Sequence, residues 1–178
     1  MNFVLPWIPF LALGLLVEEL ERTGVVPTYL LPPTSDVLVS LVRDREELLK
    51  GLGATTIAAV LGLFLSLALG LLAAIVLSLS TRLRRAFLPY AVFFQTVPII
   101  ALAPVLVIWF GFGRPTVMAS AFIVSVFPMI ANSIAGLLSP DPRLLDLFQL
   151  HRASRLQTLW KLRLPTALPS IFTGLKIA

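Results

Sequence analysis

Charge is confined to a few short stretches of this chain, and that distribution constrains the fold more than any other feature. No Asp, Glu, Lys or Arg occurs between Lys50 and Arg82, between Arg85 and Arg114, or between Arg114 and Asp141, leaving uncharged runs of 31, 28 and 26 residues. A helix needs about 20 apolar residues to cross the hydrocarbon core of a bilayer, so each run has room for one crossing. Residues 1–17 form a fourth apolar run at the short end of the range, with Asn2 as its strongly polar exception. With 58% hydrophobic and 13% charged residues and a mean hydropathy of +0.96, too little polar surface is left to cover a water-soluble domain. The expected class is an all-α polytopic membrane protein. Its crossings fall at about 2–17, 52–80, 86–110 and 116–138, within a single membrane domain over 1–178. The second is longer than one span needs, so part of it should tilt or extend beyond the hydrocarbon.

The first run could instead be a secretory signal. No Lys or Arg precedes it, an acidic group (Glu18, Glu19, Glu21) follows it, and a small-residue cleavage site is missing, so it reads as a retained helix. Orientation follows from the loop bias of Lys and Arg. Residues 18–50 hold four basic side chains and seven acidic ones, the turn after the second crossing holds Arg82, Arg84 and Arg85, the next has only Arg114, and residues 139–178 hold six. Alternation places nine of the fourteen basic residues on one face and five on the other. The nine-residue face, and with it the N-terminus and residues 141–164, is expected to be cytoplasmic. The net charge of +5 is thereby accounted for without nucleic acid. In the first external segment, Leu31-Pro32-Pro33 should break any helix, and Ser35 or Asp36 could cap a short amphipathic helix over 37–50.

A local period marks the second crossing: Ala54, Ala58, Gly62, Ser66, Gly70, Ala74 and Ser78 recur every four residues. Small residues at this spacing let helix backbones approach closely in a bilayer. The stripe reads either as a specific contact inside a membrane assembly or as ordinary packing of a Gly/Ala-rich helix.

Catalytic chemistry finds little support. There is no Gly-Lys-Ser/Thr phosphate loop, no Cys, and one histidine, His151. A His151–Ser154 pair lacks an orienting third group. Neither enzyme activity nor a cofactor or metal is expected. Within the membrane, Gln95 and Asn132 are amides in apolar surroundings, and Pro98 interrupts a helical run. They could line a substrate path, or simply bond between helices. Past the last crossing, Leu144, Leu145, Phe148, Leu156, Leu159 and Trp160 recur at helical spacing among arginines. Such a helix–turn–helix could press apolar knobs into a groove on a soluble partner, or lie on the anionic inner leaflet.

Residues 146–178, DLFQLHRASRLQTLWKLRLPTALPSIFTGLKIA, resemble the cytoplasmic coupling loop of permease subunits of bacterial binding-protein-dependent ABC importers. That motif is Glu-Ala-Ala, three residues, Gly, nine residues, Ile, one residue, Leu-Pro. Anchored on Leu164-Pro165, its Ile falls on Leu162, its Gly on Arg152 and its Glu-Ala-Ala on Asp146-Leu147-Phe148. LLPPTSDVL, the small-rich second helix and QTVPIIALAPVLVIWFGFG occur in the order found in the nitrate/sulfonate/taurine-type branch. The resemblance implies a multi-pass bacterial inner-membrane permease. It would work as a dimer, a homodimer if both copies are this chain, with an ATP-binding cassette subunit at its cytoplasmic face and an extracytoplasmic substrate-binding protein opposite. It implies a coupling surface at Asp146, Phe148, Leu150, His151, Arg152, Ala153, Ser154, Leu164 and Pro165. Substrates in view are vitamins or precursors such as riboflavin or thiamine pyrimidines, or sulfonates, taurine, nitrate and bicarbonate. Family members continue for two further helices, so residues 165–178 read as an incomplete fifth crossing and the chain as C-terminally truncated. The alternatives are a membrane-anchored assembly protein or a non-functional permease fragment. Arg152 departs most from the motif, because Gly there permits positive φ or close backbone approach.

Overall fold

The computed structural model describes residues 5–178, and among them every regular element is helical. The chain divides into two compact units, Met1–Gly53 and Ala54–Ala178.

In the first unit a 3₁₀ turn at Leu5–Trp7 leads into α1 (Ile8–Arg22), with Pro9 in its first turn where a missing N–H costs nothing. The crossing expected at 2–17 is thus shifted, since the helix carries Glu18, Glu19 and Glu21; residues 2–4 lie outside the described residues. None of its side chains is buried. Helix α2 (Thr34–Arg43) follows. The expected cap at Ser35 or Asp36 is not what starts it. Pro33 occupies the N-cap in extended conformation (φ −60°, ψ 146°). Thr34 donates its hydroxyl to Gly14 O (2.9 Å), and Ser35 gives its N–H and hydroxyl to the Glu18 carboxylate (3.0 and 2.9 Å). Arg22 also donates to the Glu18 carboxylate, at 3.0 Å. The helix expected over 37–50 is therefore two: α2 ends at Asp44, and Arg45 opens α3 (Arg45–Leu79).

Helix α3 starts seven residues before the expected 52, because Glu, Leu and Lys are good helix formers and need no apolar surroundings. At 35 residues it reaches about 52 Å, well beyond a hydrocarbon core of about 30 Å. Its buried residues are Ala58, Gly62, Ser66, Gly70, Ala74 and Ser78, the four-residue stripe. They face α6 (Arg114–Leu137): a Cβ on Gly62 would fall 2.5 Å from Met118 O, and one on Gly70 would fall 3.0 Å from the Met129 Cβ.

The crossing expected over 86–110 is instead α4 (Thr81–Gln95) and α5 (Ile99–Phe110), bent by 97° at Thr96-Val97-Pro98. The turn holding Arg82, Arg84 and Arg85 is the start of α4, capped by the Ser80 hydroxyl accepting from Leu83 N–H at 3.4 Å. Pro98 disfavours helical backbone at Val97 and itself sits extended as the N-cap of α5 (φ −63°, ψ 124°). Helix α6 matches the expected 116–138 to within two residues. Among the described residues, α3 and α6 are each long and apolar enough to cross a membrane, and the bent pair α4–α5 would be a third.

Next come α7 (Pro142–Leu150), α8 (Arg155–Thr158), a π-helical turn (Leu159–Arg163) and α9 (Leu164–Ile177). No break separates the expected loop over 141–164 from the expected helix over 165–178. Pro165 has no N–H to complete an α-helical bond to Lys161, and the wide turn falls immediately before it, Leu164 N–H reaching five residues back to Leu159 O. Helix α9 lies against α6, and a Cβ on Gly136 would fall 2.7 Å from the Ser170 Cβ and 3.0 Å from Ala167 Cα. The core joins Ala74, Met129, Ile134, Leu137, Leu159, Ala167 and Ile171.

Gly62→Leu should lower thermal stability in detergent by about 1–3 kcal/mol, the range for overpacking a tight contact. Gly53→Leu, whose Cβ meets nothing within 4 Å, should change it by less than about 0.5 kcal/mol. Equal effects in differential scanning measurements would show that the stripe does not set the α3–α6 distance.

Candidate coupling turn and intramembrane amides

The helix–turn–helix over 141–158 is built by local backbone capping. Asp141 caps α7, its carboxylate accepting from Arg143 N–H at 2.8 Å, with Pro142 in the first turn. At the other end Arg152 N–H bonds to Gln149 O and Ala153 N–H to Phe148 O, both at 2.9 Å. That pair of bonds is a Schellman closure, and it requires a left-handed residue between them. The residue is Arg152, with φ 51°, and among the described residues no other non-glycine has positive φ. A side chain in this region costs about 1–2 kcal/mol relative to glycine. The conformation is the one glycine adopts most readily, at the position where the coupling motif carries glycine.

His151 and Ser154 are occupied in the same turn. The His151 Nδ1 lies 2.9 Å from Leu147 O, so the ring N–H donates there. Ser154 begins α8 with a capping box: its hydroxyl accepts from Gln157 N–H (3.2 Å), while Gln157 Oε1 accepts from Ser154 N–H (2.8 Å). Both side chains serve the backbone.

Asp146 is exposed on α7, Phe148 and Ala153 are half-buried, and Leu150 is 80% exposed. Trp160 and Leu156 are each 63% exposed. Leu159, expected to be an outward knob, is buried in the core at 3%. Leu147, at 46% exposure, belongs to the outward set and was missed because the motif alignment treated it as a small-residue position. Leu164 and Pro165 lie apart from this surface. Leu164 packs against the core and Pro165 is exposed on the continuous helix.

The two amides, Gln95 and Asn132, bond to neighbouring carbonyls of α6. Gln95, at the end of α4, donates its Nε2–H to Phe127 O at 3.2 Å, and Asn132 donates its Nδ2–H to Pro128 O at 2.9 Å. Both carbonyls flank the peptide of Pro128, which sits inside α6. Pro98 lies three residues beyond Gln95, at the start of α5. Phe127 also stacks on Phe94, with ring centroids 5.0 Å apart. Nothing in an apolar run distinguishes that phenylalanine in advance.

A profile of the family described as "Binding-protein-dependent transport system inner membrane component" matches residues 66–178. The chain belongs to that family. It is similar to a "Probable ABC transporter permease protein" of Haemophilus influenzae, 34% identical over 173 residues, which cover 96% of this chain and 71% of that one. The "Formylaminopyrimidine transport permease protein ThiX" of Halalkalibacterium halodurans is 34% identical over 170 residues, covering 95% and 68%. The "Taurine transport system permease protein TauC" of Escherichia coli is 32% identical over 154 residues, covering 83% and 56%. This permease is therefore a membrane component of a binding-protein-dependent ABC importer, and the relatives it matches are transport proteins rather than enzymes.

In this permease Arg152→Gly should stabilise the turn by about 1 kcal/mol, Arg152→Asn by less, and Arg152→Val should destabilise it. Hydrogen exchange of Arg152 and Ala153 amides reads the closure directly. Slower exchange in the Gly variant is expected, and faster exchange would contradict the left-handed assignment.

Proposed function

We propose that this permease couples substrate passage to an ATP-binding cassette subunit through the α7–α8 turn. The observation that carries the reading is the left-handed Schellman turn at Arg152, where the coupling motif has glycine. Around it, Leu147, Leu150, Leu156 and Trp160 are exposed, the apolar anchors that a groove on a soluble partner would take. Asp146, Phe148, His151, Arg152, Ala153 and Ser154 build the docking turn, and Leu164 and Pro165 carry it into the membrane helix. The chain crosses the membrane four times, through α1, α3, the bent pair α4–α5, and α6, and α9 begins a fifth crossing. The N-terminus and α7–α8 are cytoplasmic, supported by the nine-to-five basic bias.

A second permease subunit, most simply another copy of this chain, completes the pathway, and an extracytoplasmic binding protein delivers substrate. Gln95 and Pro98 border the pathway at the α4–α5 bend, and Asn132 borders it from α6, where the two amides bond to the carbonyls of Phe127 and Pro128. Gly62, Ser66, Gly70 and Ala74 keep α3 against α6 beside it. The substrate is a thiamine-type pyrimidine precursor. This is supported by the similarity to the formylaminopyrimidine permease over 95% of this chain and 68% of that one, with taurine and sulfonates as the competing class.

Topology is tested in this Cys-free chain by single cysteines. Thr81→Cys and Ser139→Cys should react with an impermeant maleimide only after the cytoplasmic face is opened, whereas Tyr29→Cys and Phe112→Cys should react in intact cells. The reverse pattern would invert the orientation.

Docking is tested by co-purification with an ATP-binding cassette subunit. Leu150→Asp or Trp160→Ala should weaken that complex at least about tenfold, the scale for loss of an apolar anchor. Unchanged affinity in both would exclude the turn as the coupling surface. Uptake of labelled formylaminopyrimidine against taurine by the assembled importer then decides the substrate.

A further inference from the structure

Two cavities beside the membrane helices have opposite chemistry. The first is a polar cleft of about 560 Å³ where the ends of α3 and α6 and the start of α4 meet α7 and α8. Arg84, Arg155 and Arg163 line it together with Ser78, Thr81 and Gln149, and no Asp or Glu does. Arg84 and Arg163 are half-buried. Among the described residues the one ion pair is Arg22–Glu18, so none of the three guanidinium groups is paired within the chain. Three like charges gathered in a concave site call for an anion. Guanidinium forks match phosphate oxygens better than any other common group.

The second cavity is an apolar groove of about 690 Å³ lined by α3, α4 and α6, including Leu72, Val76, Leu77, Leu83, Phe87 and Ile130. It holds no charged side chain. The two cavities share α3 and α4, and their linings are neighbours in sequence: Leu77 of the groove precedes Ser78 of the cleft, and Leu83 precedes Arg84. A free phosphate would explain the arginines but not the apolar slot next to them. A carboxylate from a docked protein would leave the slot unexplained in the same way.

We infer that this pair of cavities binds one anionic phospholipid, its phosphate held by Arg84, Arg155 and Arg163 and an acyl chain lying along the groove. The cleft adjoins the coupling turn, sharing Gln149 and Ala153 with it, but the three arginines and the groove have no part in the docking or the pathway proposed above. It requires only that α3 and α6 span a bilayer, and it does not depend on the ATP-binding subunit or the substrate. A lipid held there bridges the membrane helices to α7 and α8, so the charge of the surrounding leaflet acts on the coupling region.

The test is lipid retention. The full chain is extracted from bilayers containing equal phosphatidylglycerol and phosphatidylcholine with identical acyl chains, and bound lipid is counted by native mass spectrometry. Phosphatidylglycerol should exceed phosphatidylcholine by about tenfold or more, since basic residues at the membrane surface favour anionic lipid. The Arg84→Gln/Arg163→Gln double variant should lose the preference, and the Arg84→Lys/Arg163→Lys double variant should keep most of it. Circular dichroism on each variant separates loss of the site from loss of the fold. Equal retention of the two lipids, or an undiminished preference in a folded Gln variant, overturns the inference. Displacement of the lipid by millimolar inorganic phosphate assigns the cleft to a free anion, and undiminished retention of a dihexanoyl analogue removes the groove from the site; either result also overturns it. Loss of ATP-binding-subunit affinity in the Gln variant with lipid preference intact assigns the arginines to a protein partner instead.

Discussion

Close approach of helix backbones around α6 is the constraint on which the second unit depends. Between helices in hydrocarbon there is no hydrophobic gain from hiding apolar side chains, because lipid tails are equally apolar, so packing must come from contact itself. Helix α6 obtains that contact on two faces. Gly62 and Gly70 admit α3 on one face, while Gly136 meets Ala167 and Ser170 of α9 on the other, at separations that leave no room for a Cβ. Gly174 repeats the arrangement one contact further along, against Asn132 and Met129. Larger residues at these points would push both neighbours away from α6 and take Leu159, at the edge of the coupling helices, out of the core it shares with Met129 and Leu137.

Much of this was legible in the sequence because it is written in charge and size. Two of the uncharged runs marked α3 and α6, the helices long and apolar enough to cross a membrane, and the four-residue period picked out the residues that α3 buries. Proline was harder to read. Pro89, Pro104, Pro128 and Pro169 remain inside helices, whereas Pro98 ends one, and the letter is the same in each case. What differs at Pro98 is tertiary: Gln95 is anchored to Phe127 O, and Thr96 turns its hydroxyl back to Phe93 O at 2.7 Å. The early start of α3 was hidden because Arg45, Glu46, Glu47 and Lys50 look like a loop, although a helix leaving the bilayer can carry them in water.

The coupling turn was legible by position but not by role. Motif spacing led to residue 152 and to the backbone conformation glycine would permit there. The arginine adopts that left-handed conformation even so, because the two carbonyls it helps to close, on Phe148 and Gln149, would otherwise end α7 without partners. The capping roles of His151 and Ser154 were invisible to pattern reading, since both depend on where neighbouring carbonyls and amides point. Leu159 was placed on the wrong side because spacing groups it with Leu156 and Trp160, whereas only Leu159 of the three meets the core around Met129 and Leu137.

The π-helical turn at Leu159–Arg163 has a mechanical consequence. From Arg155 to Ile177 the backbone is one uninterrupted rod about 35 Å long, with one end beside the coupling turn and the other against α6 at Gly174. A loop between those ends would dissipate a push as slack, whereas a rod delivers it as displacement along its axis. Leu159, Ala167 and Ile171 seat this length of backbone in one core with Met129 and Leu137, so the residues beside the Ser154 turn and those at the Gly174 contact belong to a single helical element.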